Sequence, residues 1–181
     1  TGRIPIEHLD ADWMVASFMY RVRTNYWFSA IKRLMDVIGA VVGLLCTMVL
    51  FPFLAVLICL EGWGPLIYRQ TRLGIDGCFF RMIKFRTMVP DAEPDGRPQW
   101  ASANDSRVTR LGWLLRRTRL DEFPQFWNVL KGEMSLVGPR PERPEFVSSL
   151  EKLIPFYSAR LLVKPGITGW AQINFRYGAT V

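Results

Sequence analysis

From Val37 to Leu60 the chain reads VIGAVVGLLCTMVLFPFLAVLICL, 24 residues without a charge, closed off by Asp36 on one side and Glu61 on the other. A helix of that length extends about 36 Å and covers the roughly 30 Å hydrocarbon core of a bilayer. The segment therefore reads as membrane-embedded. Pro52 complicates a simple crossing, because it removes an amide donor and disfavours helical geometry at Phe51. It leaves 15 apolar residues before it and 8 after it, and neither arm alone spans comfortably. Basic residues lie on both flanks: Arg21, Arg23, Lys32 and Arg33 before, and Arg69, Arg72, Arg81, Lys84 and Arg86 after. Lysine and arginine collect on the cytoplasmic side of membranes, so a re-entrant helix broken at Pro52 is favoured over a spanning helix kinked there. A secretory signal peptide is excluded by the length of the segment and its distance from the N-terminus.

The remaining chemistry is narrow. With His8 the only histidine, and three cysteines in no regular framework, His-based nucleophilic machinery, Cys/His zinc sites and secreted disulfide scaffolds are excluded. An apolar fraction of 50% is enough for a core and rules out a disordered polycation. Catalysis in such a chain rests on carboxylates, lysines and arginines. Of the 23 basic residues only Lys32, Lys84, Lys131, Lys152 and Lys164 are lysines, and the other 18 are arginines, the side chain that forks onto phosphate. The bias points to a phosphate-bearing partner, with compositional drift as the bland alternative. Nucleic acid is a poor candidate, because it leaves the apolar segment unexplained.

Residues 1–30 mix turn formers with an amphipathic stretch carrying Trp13, Phe18, Tyr20, Tyr26, Trp27 and Phe28, which suits either a membrane interface or a linker packed on the domain. After the membrane segment, residues 65–89 read as a hairpin turning at Ile75-Asp76-Gly77, and residues 90–106 as a loop. RVTRLGWLLRRTRL places Val108, Leu111, Leu115 and Thr118 on one face of a basic amphipathic helix, fit either to lie on an anionic membrane or to cap a core. DEFPQFWNVLKG predicts a second helix, opened by acids and Pro124 and closed by Gly132. A short apolar run, a Pro-fixed turn, a helix from about Glu142 to Leu162 and a short strand within KPGITGWAQINFRYG complete the chain. The fold class is α+β: a membrane helix (31–60) between a linker or interfacial segment (1–30) and a cytoplasmic domain (61–181) of helices, some amphipathic and interfacial, with a small sheet or hairpin.

Asp121-Glu122 is an adjacent acidic pair just beyond Arg116, Arg117 and Arg119. Acids at a helix start cap free amides and complement the dipole, which is the plain structural reading. The functional reading has neighbouring guanidinium groups hold one carboxylate ionised as a nucleophile while the other binds a divalent metal on a diphosphate. Asp10-Ala11-Asp12 has the form of a nucleotide-sugar D-x-D metal motif but lacks a preceding buried strand. P-loop and GxGxxG fingerprints are absent. Lys84 and Arg86 fall on the same face of a strand, fit for a phosphate or for solvent. Arg140, between Pro139 and Pro141, has a restricted backbone and reads as a ligand clamp or as a surface charge.

Taken together, QTRLG, KFRTM, LDEFPQFWNVLKGEMSLVGPRPE and KPGITGWAQIN resemble the bacterial sugar transferase family, the monotopic polyprenyl-phosphate phosphoglycosyl transferases, over about Lys32 to Asn174. The resemblance implies a re-entrant helix broken at Pro52 and preceded by the basic pair Lys32-Arg33. It implies transfer of a sugar 1-phosphate from a UDP-sugar to undecaprenyl phosphate, with release of UMP, at the cytoplasmic face of the bacterial inner membrane, as the first step of polysaccharide or glycoconjugate (exopolysaccharide) synthesis. It implies that Asp121 is the nucleophile of an aspartyl phosphosugar intermediate, that Glu122 with Asp121 holds Mg2+ or Mn2+, and that Lys84, Arg86, Arg116 and Arg140 bind the diphosphate or the lipid phosphate. The opening TGRIPIEHLDADW resembles the linker of large members, so the chain is expected to be the C-terminal catalytic part of such a protein, itself shortened at its end. A homo-oligomer stays open. The competing functions are a non-catalytic membrane-anchored phosphate-binding module and a conventional glycosyltransferase releasing UDP, which would shift attention to Asp10 and Asp12.

Overall fold

The computed structural model describes residues 26–90, 92 and 105–174. Residues 1–25, with Asp10 and Asp12, most of the expected loop at 90–106, and the segment after Asn174 lie outside the described residues.

Helix α1, Tyr26–Glu61, contains the whole apolar segment, with Pro52 inside it. Its buried residues, Asp36, Ala40, Gly43, Thr47, Leu54 and Ile58, recur at helical spacing and form one stripe along the element. Most other positions, among them Ile38, Val42, Leu45, Met48, Phe53 and Leu60, are exposed. Only 17% of its most apolar window is buried, so this is not the core helix of a soluble domain, and its length and composition suffice to cross a membrane. Pro52 donates no amide bond, and the Thr47 hydroxyl donates back to the Gly43 carbonyl at 2.6 Å.

The hairpin forms as the alternating pattern predicts. Strands β1 (Ile67–Leu73) and β2 (Phe79–Phe85) pair antiparallel, with Tyr68 opposite Lys84, around a tight turn in which Asp76 and Gly77 take positive φ. Helix α2 (Arg110–Thr118) opens with Thr109, whose hydroxyl accepts from the Gly112 amide at 2.9 Å, and ends at Arg119 in a left-handed conformation. A 3-10 helix, Leu120–Gln125, leads directly into α3, Phe126–Lys131, closed by Gly132 at φ 88. The single helix expected from DEFPQFWNVLKG is thus two joined pieces, a 3-10 helix that holds Pro124 and the α-helix α3.

Strand β3 (Ser135–Val137) pairs parallel with β4 (Gly166–Thr168), and α5 (Trp170–Asn174) comes after it. Between the two strands runs α4, Pro144–Leu153. The helix expected as far as Leu162 stops early because Pro155 forces Ile154 into extended backbone; a separate 3-10 helix covers Tyr157–Leu162.

Two apolar clusters hold these elements together, and α1 contributes to both. In one, Ala40 packs with Phe80, Met82, Val129 and Met134; in the other, Leu54 and Ile58 pack with Phe85 and Leu115. Phe80 and Met82 share one face of β2 and pack in the first cluster, while Phe85 at the strand's end packs in the second, and each side chain so buried contributes about 1.5–3 kcal/mol. Close approach of α1 to α3 requires Gly43, because a Cβ there would lie about 2.4 Å from the Phe126 ring. Helix α2 caps the core with Leu111 and Leu115 and leaves Trp113 and Leu114 exposed, with the Arg117 guanidinium 5.1 Å from the centre of the Trp113 ring.

Candidate active site

Asp121 and Glu122 lie in the 3-10 helix between α2 and α3, and both are 5% exposed. Neither caps it: Arg119 occupies the cap position in left-handed backbone, and no side-chain bond satisfies the free amides there. Capping, one half of the plain structural reading, is therefore not seen, while the pair does lie in the first turn, where acids complement the helix dipole. Arg140 Nη1 and Nη2 each donate to Glu122 Oε1 at 3.2 Å, and Arg119 Nη1 approaches the same oxygen at 3.5 Å. Asp121 Oδ1 is buried without a hydrogen-bond partner.

The local electrostatics are opposed. Burial, and after it the neighbouring Glu122 charge, pushes the Asp121 carboxyl up to about 6, while Lys84, Arg116 and Arg140 pull it down. Lys84 is itself pushed down to about 8, first by burial and then by Arg116, with Arg72 and Arg140 adding to the effect and Asp121 opposing it. Three of the four cations expected to bind phosphate thus act on one carboxylate.

Each cation is held by its own element. Lys84 is on β2, its ammonium 5.4 Å from the centre of the Tyr68 ring across the hairpin. Arg116 is on α2, and its Nε donates to the buried Thr87 hydroxyl at 2.9 Å. Gly112 lets the first turn of α2 lie against Thr87, since a Cβ there would be 2.0 Å from the Thr87 carbonyl oxygen. Asn128 binds α3 to β2 by accepting from the Ile83 amide and donating to the Arg81 carbonyl.

Arg86 goes elsewhere. Strand β2 ends at Phe85, and the Arg86 guanidinium donates to the carbonyls of Ile58, at 3.0 Å, and Gly62, closing the end of α1. Late helical carbonyls lack intrahelical donors, and Arg86 supplies one. The flanking pair is likewise turned to the domain: Lys32 pairs with Asp36 at 2.8 Å, and Arg33 donates to Val129 O and Leu130 O at 2.7 Å each.

Three contributors were not singled out in the sequence. Arg72 acts on Lys84 and donates to Pro141 O at 3.1 Å, Thr87 orients Arg116, and Arg160 donates to Arg140 O at 2.5 Å. Arg72 lies inside QTRLG and Thr87 inside KFRTM, and nothing in the sequence ties Arg72 to Lys84 or Thr87 to Arg116.

Among the described residues no group of three or more His, Cys, Asp or Glu is gathered as a metal site. A divalent ion that works on a diphosphate needs only one or two carboxylates, the phosphates and water supplying the rest. The unpartnered Oδ1 of Asp121 beside Glu122 fits that requirement.

The site is thus a buried carboxylate ringed by cations, carried on a domain packed along a membrane-length helix, and its charge suits an anionic group. The chain belongs to the bacterial sugar transferase family, which matches over residues 27–181. It is 44% identical over 179 residues, 99% of its own length, to the UDP-N-acetylgalactosamine-undecaprenyl-phosphate N-acetylgalactosaminephosphotransferase of Aeromonas hydrophila. It is 46% identical over 158 residues to the UDP-glucose:undecaprenyl-phosphate glucose-1-phosphate transferase of Xanthomonas campestris pv. campestris, and 47% identical over 150 residues to the protein of the same name from Escherichia coli K12, or 87% and 83% of this chain. The chain spans 41% of the Aeromonas protein and 32% of each of the other two. Family membership, with one helix among the described residues that is long and apolar enough to cross a membrane, puts the chain at the bacterial inner membrane, with the mixed α/β module on its cytoplasmic face.

Proposed function

We propose that this chain is the catalytic part of a phosphoglycosyl transferase that moves a sugar 1-phosphate from a UDP-sugar to undecaprenyl phosphate and releases UMP, initiating a surface polysaccharide or glycoconjugate. One observation carries the reading: Asp121 is a buried carboxylate with an unpartnered oxygen, faced by Lys84, Arg116 and Arg140. A carboxyl poised at about 6 is ionised at neutral pH yet poorly solvated, which suits a nucleophile.

In the first step an Asp121 carboxylate oxygen attacks the sugar-linked phosphorus. The new O–P bond forms as the phosphoanhydride breaks, and UMP leaves with that bond's electron pair. In the second step an oxygen of undecaprenyl phosphate attacks the aspartyl phosphorus, and the Asp121 carboxylate departs. Phosphoryl transfer of this kind asks the protein mainly for positioning and charge neutralisation. Lys84 on β2, Arg116 on α2 and Arg140 in the segment after β3 supply the cations, and Glu122 holds the Arg140 fork in place. Asp121 and Glu122 would hold Mg2+ or Mn2+, which when bound neutralises diphosphate charge.

The domain division on this reading is a linker or interfacial segment (1–30), a re-entrant membrane helix (31–60) and a cytoplasmic catalytic domain (61–181). Re-entry is supported at both ends of α1. Lys32, Arg33 and Asp36 bond to α3 and β3, while the Ile58 and Gly62 carbonyls accept from Arg86 and Glu61 Oε1 accepts from the Leu111 amide at 2.8 Å. Both ends of α1 held by one domain is the arrangement a re-entrant helix requires.

The mechanism is tested by incubating the detergent-solubilised protein with a UDP-sugar and Mg2+ and no lipid acceptor, then weighing the intact protein. A mass gain of one sugar phosphate, located on the peptide containing Asp121 and absent from Asp121→Asn, is expected. Turnover with acceptor but no adduct without it would contradict the two-step route.

A further inference from the structure

We infer that Asp36, within the membrane helix, is a positioning residue that sets where Arg140 stands relative to Glu122. A buried carboxylate at the edge of an apolar membrane segment is costly and requires partners. Asp36 is 3% exposed, and its Oδ1 lies 2.8 Å from Lys32 Nζ, 2.9 Å from the Leu136 amide nitrogen and 3.1 Å from Ser135 Oγ. Lys32 also donates to that hydroxyl. The carboxylate therefore holds two successive residues of β3 from about a hundred positions away in sequence.

The chain beyond β3 is stiff. The Gly138 amide donates to Thr168 O at 2.9 Å, Pro139 O accepts from the Gly166 amide at 2.9 Å, and Arg140 O accepts from Arg160. Gly138 is pressed so close to the neighbouring chain that a Cβ there would lie 2.4 Å from Lys164 O. With φ fixed at Pro139 and Pro141 as well, a displacement of β3 reaches the Arg140 guanidinium with little to absorb it.

The other half of the pair is held from the same turn of α1. Arg33 closes the carbonyl end of α3, and α3 continues directly from the 3-10 helix carrying Glu122. Arg33 and Asp36 thus fix α3 and β3 to one rigid element, and the spacing between those two sets the 3.2 Å fork of Arg140 on Glu122. Asp36 touches neither Asp121 nor Glu122; its action is exerted through β3.

This inference rests on the reading of Arg140 as a phosphate clamp, and a double-mutant cycle separates the two. kcat/KM for the UDP-sugar is measured per mole of folded, monodisperse enzyme for wild type, Asp36→Asn, Arg140→Gln and the double variant. Arg140→Gln is expected to lower kcat/KM at least a hundredfold. Asp36→Asn is expected to lower it about tenfold in the wild-type background and less than twofold in the Arg140→Gln background, because contacting or serially linked groups are not additive. Equal losses in both backgrounds would overturn the inference, leaving Asp36 a stabilising contact alone. An Arg140→Gln enzyme of undiminished kcat/KM would overturn the clamp reading and this inference with it. Should Asp36→Asn not fold, Ser135→Ala, which removes one of the same contacts, is expected to show the same background dependence on a smaller scale, and additivity there would overturn the inference equally.

Discussion

Arg140 meets Glu122 through both terminal nitrogens of its guanidinium, each 3.2 Å from the same carboxylate oxygen. The contact joins the chain after β3 to the 3-10 helix of the acidic pair, and it fixes a cation beside Asp121. A fork of this kind is not reproduced by an ammonium. Arg140→Lys is expected to retain the fold and lose ten- to a hundredfold in kcat/KM, with Arg140→Ala losing more. Circular dichroism and steady-state assays on the same preparations check both.

Asp121→Asn is expected to abolish turnover and to raise thermal stability. Burial lifts the folded-state value of Asp121 from 3.8 to about 6, so the charged form carries a cost of about 3 kcal/mol at neutral pH. The neutral isostere avoids that cost and should melt several degrees above wild type. Were Asp121 a helix cap, the same substitution would leave stability unchanged or lower it.

The pH dependence is set by two groups. Because the folded Asp121 value is raised, its favourable contribution to stability is complete below about 4 and lost as pH rises through about 6, where the nucleophile becomes ionised. Lys84 has a depressed folded value, so its favourable contribution is complete above the ordinary 10.5 and lost as pH falls through about 8, where the ammonium forms. Both groups are in their reactive, less stable forms between those limits. kcat/KM is expected to rise through about pH 6 and fall above about pH 8, and Lys84→Arg should remove the upper limb while keeping the lower.

Packing of the membrane helix on the domain is tested at Gly43. A leucine there has no space beside the Phe126 ring and is expected to cost about 1–3 kcal/mol, read as a lower melting temperature in detergent. Val42→Leu, on the exposed side of the same turn, should be neutral.

The features legible in the sequence were local ones. Apolar length and Pro52 marked α1, alternation marked the β1–β2 hairpin, and the acidic pair among arginines marked the site. Arg140 stood out because two prolines flank it, and the structure sets it on Glu122. What was illegible depends on tertiary contact. Period-two alternation put Arg86 beside Lys84, but the strand ends between them and the open carbonyls of α1 claim the Arg86 side chain. Lys32 and Arg33 read as membrane-flanking charges, yet beyond the local Lys32–Asp36 pair they reach partners about a hundred residues on, in β3 and α3. In the sequence Asp36 is only the end of the apolar run, because a buried carboxylate is recognised by its donors.

Topology has its own check. With Cys46, Cys59 and Cys78 replaced, single cysteines placed before Lys32 and after Glu61 are expected to react with a membrane-impermeant thiol reagent from the same face, the cytoplasmic one. Labelling from opposite faces would mean that α1 spans.

The most direct measurement is the nucleotide released when detergent-solubilised protein meets undecaprenyl phosphate, Mg2+ and a panel of UDP-sugars. UMP is the expected product, formed with the sugar that supports turnover and lost in Asp121→Asn. Release of UDP would mean that the sugar moves without its phosphate, and it would contradict Asp121 as the nucleophile.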